Sequence, residues 1–289
     1  MNEFGRIIAA GAEPLVAPLV FNPFTARLAA TAGFRALYLG GGSMGYVKCV
    51  TEANLSLTEM VQAGLDIRAA CPLPLILDGA CGWGDPMHQH RTVAMSEAAG
   101  FCAIEIEDQI LPKRARHHVG VEHIVSQELM VAKIAEAVAA RHDPDFVIIA
   151  RTNAARMHGL DEALRRAEAY RRAGADMLFV LPKTAEEVRI IGERLGAPLM
   201  YMTVGGGLSS IGMTLSELRD LGYRLVVDPA TPLLAVHKAL RAYCAAMAWS
   251  KPDPLHSPNP NAARDEQRAI HETIGLETML AIERRTVER

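Results

Sequence analysis

Aromatic residues make up only 5% of this 289-residue chain, and it has just five cysteines. Cys49, Cys71, Cys81, Cys102 and Cys244 are scattered, form no Cys-x-x-Cys pair and are odd in number. That pattern excludes a disulfide framework and a thiolate zinc site, and it leads us to expect a reduced, cytoplasmic protein. Charge of one sign is also lacking. A net charge of −3 gives no global attraction to nucleic acid or to an anionic membrane surface. No apolar run approaches the roughly 18–20 residues that a membrane span needs. The first ten residues lack the basic leader and long apolar core of a secretory signal.

What the chain does have is a regular alternation of short apolar runs and amphipathic stretches. Runs at Pro18–Phe21, Ala36–Leu39, Leu75–Leu77, Ala103–Ile106, Phe146–Ala150, Met177–Val180, Leu199–Met202 and Leu225–Val227 read as strands buried on both faces. Helical spacing follows each of them, as in Ser56–Ala70, where Leu57, Met60, Val61, Leu65 and Ile67 recur at intervals near three and four. Eight such units in succession predict an α/β fold, a (β/α)8 barrel spanning residues 1–250 with no internal boundary. The stretch Lys251–Pro260 holds four prolines and reads as an extended linker. After it, Ala263–Arg285 is helical again, with Ile270, Ile274, Leu276, Met279, Leu280 and Ile282 on one face. A barrel that already has eight helices offers that face little cover, so residues 251–289 are expected to join neighbouring subunits.

Chemistry should gather at the carboxyl ends of the strands, where parallel α/β folds place it. Asp78 ends the third strand and leads into a loop containing Gly82 and Gly84. Glu107 ends the fourth. Two carboxylate-tipped strands in succession suggest a hard-cation site built from oxygen ligands, against the plainer reading of Asp78 as a turn residue. The run Gly40-Gly41-Gly42-Ser43 closes the second strand and offers backbone N–H groups to an anion, although glycine runs are usually only turns. Arg151, just past an apolar strand, could clamp a carboxylate, or simply pair across the barrel rim. The basic segment Pro112–His118 reads as either a solvated loop or a lid, in which Lys113 supplies charge and His117 or His118 moves a proton.

These residues together resemble the isocitrate lyase/phosphoenolpyruvate mutase superfamily over nearly the whole chain. The matches are Ile106-Glu-Asp-Gln109 followed by Lys113-Arg114, Ala150-Arg-Thr-Asn-Ala154, Ala173-Gly-Ala-Asp176 and the Tyr38–Gly42 turn. The resemblance implies a barrel whose last helix is exchanged between subunits, usually in a tetramer. It also implies magnesium-dependent cleavage beside a 2-oxo or 2-hydroxy acid. By position, Asp78 corresponds to the direct metal ligand, Glu107 to a carboxylate acting through metal-bound water, and Arg151 to the carboxylate-binding arginine. Tyr38, Gly40, Gly41, Gly42 and Ser43, with Thr203 beyond the seventh strand, correspond to the substrate cradle, and Lys113 to His117 to the gating loop.

Four departures from the family pattern bear on function. Where the family reads Asp-x-Asp, this chain reads Asp78-Gly-Ala80, so one metal-shell carboxylate is missing and magnesium, or manganese in its place, should bind weakly. Asp85 is the nearest candidate to compensate. The cysteine acid of the lyase branch is replaced by Ala115, the glutamate after strand six by Leu181, and an aspartate before the second helix by Thr51 and Glu52. These changes disfavour isocitrate or methylisocitrate cleavage more than decarboxylation of an oxaloacetate-like acid. The expected activity is therefore a lyase or decarboxylase acting on a small anionic carboxylate. The competing readings are a C–P mutase or hydrolase on a phosphonopyruvate-like substrate, and a barrel retained only for binding.

Overall fold

Each of the eight apolar runs becomes a strand, because its Leu, Ile, Val and Phe side chains are covered on both faces. The computed structural model describes residues 3–9, 13–203, 212–249, 252 and 257–287. The strands are β1 Leu15–Pro18, β2 Leu37–Leu39, β3 Leu75–Asp78, β4 Ala103–Glu107, β5 Val147–Thr152, β6 Met177–Val180, β7 Leu199–Met202 and β8 Tyr223–Asp228. All pair in parallel in the order β1-β8-β7-β6-β5-β4-β3-β2. A single bridge between Leu19 and Tyr38 joins β1 to β2, so the barrel is nearly closed.

The helices are α1 Glu3–Ala9, α2 Pro23–Thr31, α3 Gly41–Val47, α4 Leu57–Ala70, α5 Gln89–Ala98, α6 Gln127–Ala140, α7 Ala154–His158, α8 Leu160–Arg172, α9 Ala185–Leu195, α10 Leu215–Asp220, α11 Thr231–Ala248, α12 Ala262–Ile274 and α13 Leu276–Thr286. Capping boxes set three of the starts: Asn22 with Thr25, Ser56 with Glu59 and Thr214 with Glu217. One buried layer lies between strands and helices, with Leu37, Leu77, Ile104, Ile148, Leu178 and Val226 facing Met60, Ile134, Leu164 and Val188. A second fills the barrel itself, from Tyr38, Ile76, Ile149, Phe179, Met200 and Leu225. The centre is thus a packed core, and a ligand can enter only at its ends.

The structure departs from the sequence reading in four places. The first strand is Leu15–Pro18 rather than Pro18–Phe21, because Leu15, Val16 and Ala17 take the register against β8 while Pro18, with no N–H, closes the strand. Gly41–Val47, read as a loop, is a short helix. The C-terminal helix is broken in two at Gly275, whose φ of 74° is a left-handed helix stop. In this single chain α12 packs back on α2, with Arg27 donating to the Thr273 carbonyl at 3.3 Å. The Gly205–Gly207 loop and most of the proline linker lie outside the described residues.

Candidate active site

Strand register brings the site's charged groups together. Asp78 of β3 pairs with Glu105 of β4, and Glu107 of β4 pairs with Arg151 of β5. Glu105 and Glu107 are two apart, so both point to the same face, into the barrel mouth. The Arg151 guanidinium donates to Glu105 at 2.7 Å and lies 3.4 Å from Glu107, with its plane 5.1 Å from the Phe179 ring. Asn153 ties this pair together, accepting from Arg151 at 3.1 Å and donating to Glu107 at 2.8 Å. Asp108 fixes Asn153 in turn, accepting from its backbone N–H at 3.0 Å, from the Thr152 hydroxyl at 2.7 Å and from Tyr170 at 3.0 Å. Every buried polar atom in this knot has a partner, which locks the end of β5 in place.

The segment after β4 folds over the mouth. Lys113 is buried, with its ammonium 2.6 Å from Glu52 and hydrogen-bonded to Glu107. His117 Nε2 lies 3.2 Å from the other Glu52 oxygen, and the His117 and His118 rings stack at 3.9 Å. Tyr46 of α3 meets His118 at 3.0 Å. Glu52 approaches so closely that a Cβ on Gly41 would lie 2.9 Å from it, so position 41 admits only glycine without displacement. Behind the site, buried Lys133 donates to the Cys81 carbonyl and holds the loop after Asp78.

Four buried carboxylates, Glu52, Asp78, Glu105 and Glu107, thus face two fixed cations, Lys113 and Arg151. Burial alone would raise every carboxylate here. At Glu52 the Lys113 ammonium and His117 outweigh burial and hold the group down at about 2. Lys113 and Arg151 likewise keep Glu107 low. At Asp78 the pull of Lys113 is too weak to offset burial. Burial, reinforced by Glu52 and Glu105, pushes it up to about 7. It is the site's proton-exchanging carboxyl near neutral pH. His117 loses basicity to burial but gains more from its bond to Glu52, so its pKa ends above the ordinary value.

A cavity of about 400 Å³ opens over these groups, lined among others by Gly42, Ser43, Asp78, His117, Arg151 and Arg156. Several expected site residues therefore meet here: Gly40, Gly42, Ser43, Asp78, His117 and Arg151. Others do not serve as expected. Tyr38 is sealed inside the barrel, where its hydroxyl donates to Glu105 at 3.0 Å, and it cannot touch a substrate. The Gly41 amide is taken by Asp78 at 2.9 Å, and the Ser43 hydroxyl donates to the Pro229 carbonyl at 2.5 Å, so neither is offered to an anion. Thr203 is buried at the end of β7 and does not line the cavity. Asp85 lines a second cavity of about 440 Å³ together with Ala80, Glu52 and Lys113, and it does not line the one that holds Asp78 and Arg151. The Cys81 thiol, pushed up to about 12 by burial, lies in that second cavity and is no acid for the mouth.

The roles of Glu52, Glu105, Asn153 and Arg156 were not read from the sequence, while His118, an alternative to His117 there, lies beside it over the mouth. For Glu105 the signal was its spacing from Glu107 on one strand. Arg156, paired with Glu122 at 2.7 Å, sits on α7 and had none.

The donor set does not fit a divalent cation at Asp78 and Glu107. Such an ion needs about six oxygens around it at roughly 2.0–2.6 Å. Both Glu107 oxygens are engaged, by Lys113 and Asn153, and both Asp78 oxygens accept backbone N–H groups, from Gly41 and Ala80. Among the described residues no group of three or more His, Cys, Asp or Glu side chains is arranged to hold a metal ion.

The chain matches the phosphoenolpyruvate phosphomutase family over residues 4–248. It is 38% identical over 229 residues to the 2,3-dimethylmalate lyase of Eubacterium barkeri, covering 78% of each chain. Among solved structures it is similar to oxaloacetate acetylhydrolase bound to the inhibitor 3,3-difluorooxalacetate, with a TM-score of 0.85 and 26% identity over 98% of this chain and 95% of that one. It is also similar to phosphonopyruvate hydrolase in complex with oxalate and Mg2+, with a TM-score of 0.83 and 28% identity over 99% and 100% of the two chains.

Proposed function

The chain belongs to the phosphoenolpyruvate phosphomutase family, and from that premise we propose that it is a carbon–carbon lyase acting on a small 2-oxo or 2-hydroxy dicarboxylic acid of the oxaloacetate type. One observation carries the reading: Arg151, Arg156, His117 and the Gly42 and Ser43 amides converge on one 400 Å³ cavity beside an Asp78 carboxyl that exchanges its proton near neutral pH. A cavity of that volume suits a four- to six-carbon acid. The named relatives act on dimethylmalate and oxaloacetate, which share a carboxylate beside an oxygen-bearing carbon.

In the proposed reaction Arg151 and the two amides hold the carboxylate next to the 2-oxo group. With a 2-oxo acid the C3–C4 bond breaks, C4 leaves as CO2, and the electron pair becomes the enolate of the retained 2-oxo acid; with a 2-hydroxy acid the ionised Asp78 takes the hydroxyl proton, the C2–C3 bond breaks, C2 leaves as a 2-oxo acid and C3 keeps the pair. Protonated Asp78 or His117 then returns a proton to C3. The loop over Lys113 excludes water while the enolate lives. None of the five cysteines is needed at any step, and the buried Cys81 thiol is held neutral, in keeping with Ala115 at the lyase acid position. The free thiols also fit the reducing cytoplasm expected from composition. Among the described residues no helix is long and apolar enough to cross a membrane. We propose further that the chain works as a homo-oligomer, a dimer of dimers.

The test is a turnover assay, with and without Mg2+, against oxaloacetate, 2,3-dimethylmalate and phosphonopyruvate. Cleavage of a C–C substrate is the expected result. Turnover of phosphonopyruvate alone would move the chain to C–P chemistry. Tight oxalate binding with no turnover of any acid would make the barrel a binding site only.

A further inference from the structure

The two carboxylates best placed to serve a cation, Glu52 and Glu107, already share one. Lys113 Nζ sits between them, 2.6 Å from Glu52 and hydrogen-bonded to Glu107, with all three side chains buried. An ammonium has three N–H donors and no acceptor, so it neutralises a carboxylate pair without needing the surrounding oxygens that a divalent ion requires. At the neighbouring position the chain carries Ala80, buried and at a φ of 46°. Left-handed backbone of that kind suits Asp or Asn better than Ala. A carboxylate could therefore be accommodated there, and none is present.

We infer that the Lys113 ammonium is the working cation of this barrel mouth, balancing at Glu52 and Glu107 the negative charge that a divalent ion would otherwise balance. The inference goes beyond the proposed reaction and does not depend on which acid is cleaved. One consequence concerns timing. Lys113 lies on the segment that covers the mouth, so the cation arrives with that segment and leaves with it, whereas a bound ion would stay with the strands. Charge balance at Glu52 and Glu107 is then tied to closure of the segment. Activity should also survive a chelator.

Manganese titration of the full chain, read by the EPR signal of free Mn2+, decides the matter without any turnover assay. The wild-type protein should leave millimolar Mn2+ unbound. Lys113→Met, which keeps the side-chain length and removes the charge, should bind Mn2+ at least tenfold more tightly. Ala80→Asp adds a carboxylate and keeps the lysine, and it should still leave Mn2+ free. Circular dichroism and the melting temperature confirm that each variant is folded. Micromolar Mn2+ binding by the wild type would overturn the inference. So would tight binding by Ala80→Asp, since the missing carboxylate rather than the lysine would then be what excludes the ion. That arm stands on its own should Lys113→Met fail to fold.

Discussion

Asp78 and Arg151 set the residue-scale chemistry, and their charges behave in opposite ways. Asp78 is pushed up to about 7 by burial and by the Glu52 and Glu105 carboxylates. The native state therefore binds its proton more tightly than the unfolded chain, in which an Asp titrates near 3.9. With the folded pKa raised, this group's stability contribution is greatest below about pH 4 and declines as pH rises to about 7, at up to about 1.4 kcal/mol per pH unit. Asp78→Asn should flatten that slope in urea unfolding measured from pH 4 to 8. An unchanged slope would place the titrating group elsewhere. Arg151 is the counterweight. Its removal strands the buried Glu105, while Glu107 keeps Lys113, so Arg151→Ala should cost about 3–5 kcal/mol of stability in addition to substrate binding. Arg151→Lys, which keeps the charge but not the two-pronged geometry, should recover most of the stability and far less of kcat/KM. Equal recovery of both would argue that Arg151 is a rim ion pair and nothing more. At this scale the sequence was partly legible. Asp78, Glu107 and Arg151 stand at strand ends and could be read from them. Glu52 could not, because only the fold brings it to Lys113, across 61 residues of chain.

At the scale of elements, strand positions were legible wherever a short apolar run was bounded by turn residues, and β3, β6 and β7 follow the reading closely. Short helices were not. Gly41–Val47 and Ala154–His158 are too brief to show a helical period, and the glycines of the first argue for a turn on composition alone. The segment Leu111–Glu122 was legible as charged but not as ordered. Its order comes from buried contacts to Glu52 and Glu107 that no local pattern announces. His117 is the contact that titrates. Its pKa is raised by Glu52, so its contribution to holding the segment is complete below about 6.5 and is lost as pH rises through the higher native value. Hydrogen-exchange protection factors of residues 113–120, which remove the intrinsic rise of exchange with pH, should therefore fall above neutral pH, while those of the strands hold. His117→Ala should show the lower protection at every pH and lose about 10²-fold in rate, since water replaces a proton donor only in part. Protection factors that are flat with pH in the wild type would break the link between His117 and the closed segment.

The whole molecule poses a packing problem that one chain leaves unsolved. Helix α8 buries six of its residues against the barrel, among them Leu164 and Tyr170. Helix α11 is longer, at 18 residues, yet buries only Ala246. Leu234, Leu240 and Met247 on it are each more than half exposed, and Trp249, just past its end, is 77% exposed. Apolar residues exposed singly are ordinary, but a helix of this length with almost no covered face lacks the burial that stabilises helices in water. Helices α12 and α13 likewise bury no residue completely, and Met279, Leu280 and Ile282 lie open on α13. Three consecutive helices in this condition support a second copy of the chain as their cover, in the closed symmetry usual for homo-oligomers. Sedimentation of the full chain should then give a multiple of its 31.3 kDa mass, with a tetramer expected. Replacing Leu240 and Met247 together by Glu places two charges on the face that must be dry, and should shift the assembly toward smaller species while circular dichroism holds. Removal of residues 250–289 should dissociate or aggregate the protein by exposing what those helices cover. A wild-type chain sedimenting at 31.3 kDa, or a truncated chain that keeps both its size and its melting temperature, would leave α11 uncovered by design and defeat the proposal.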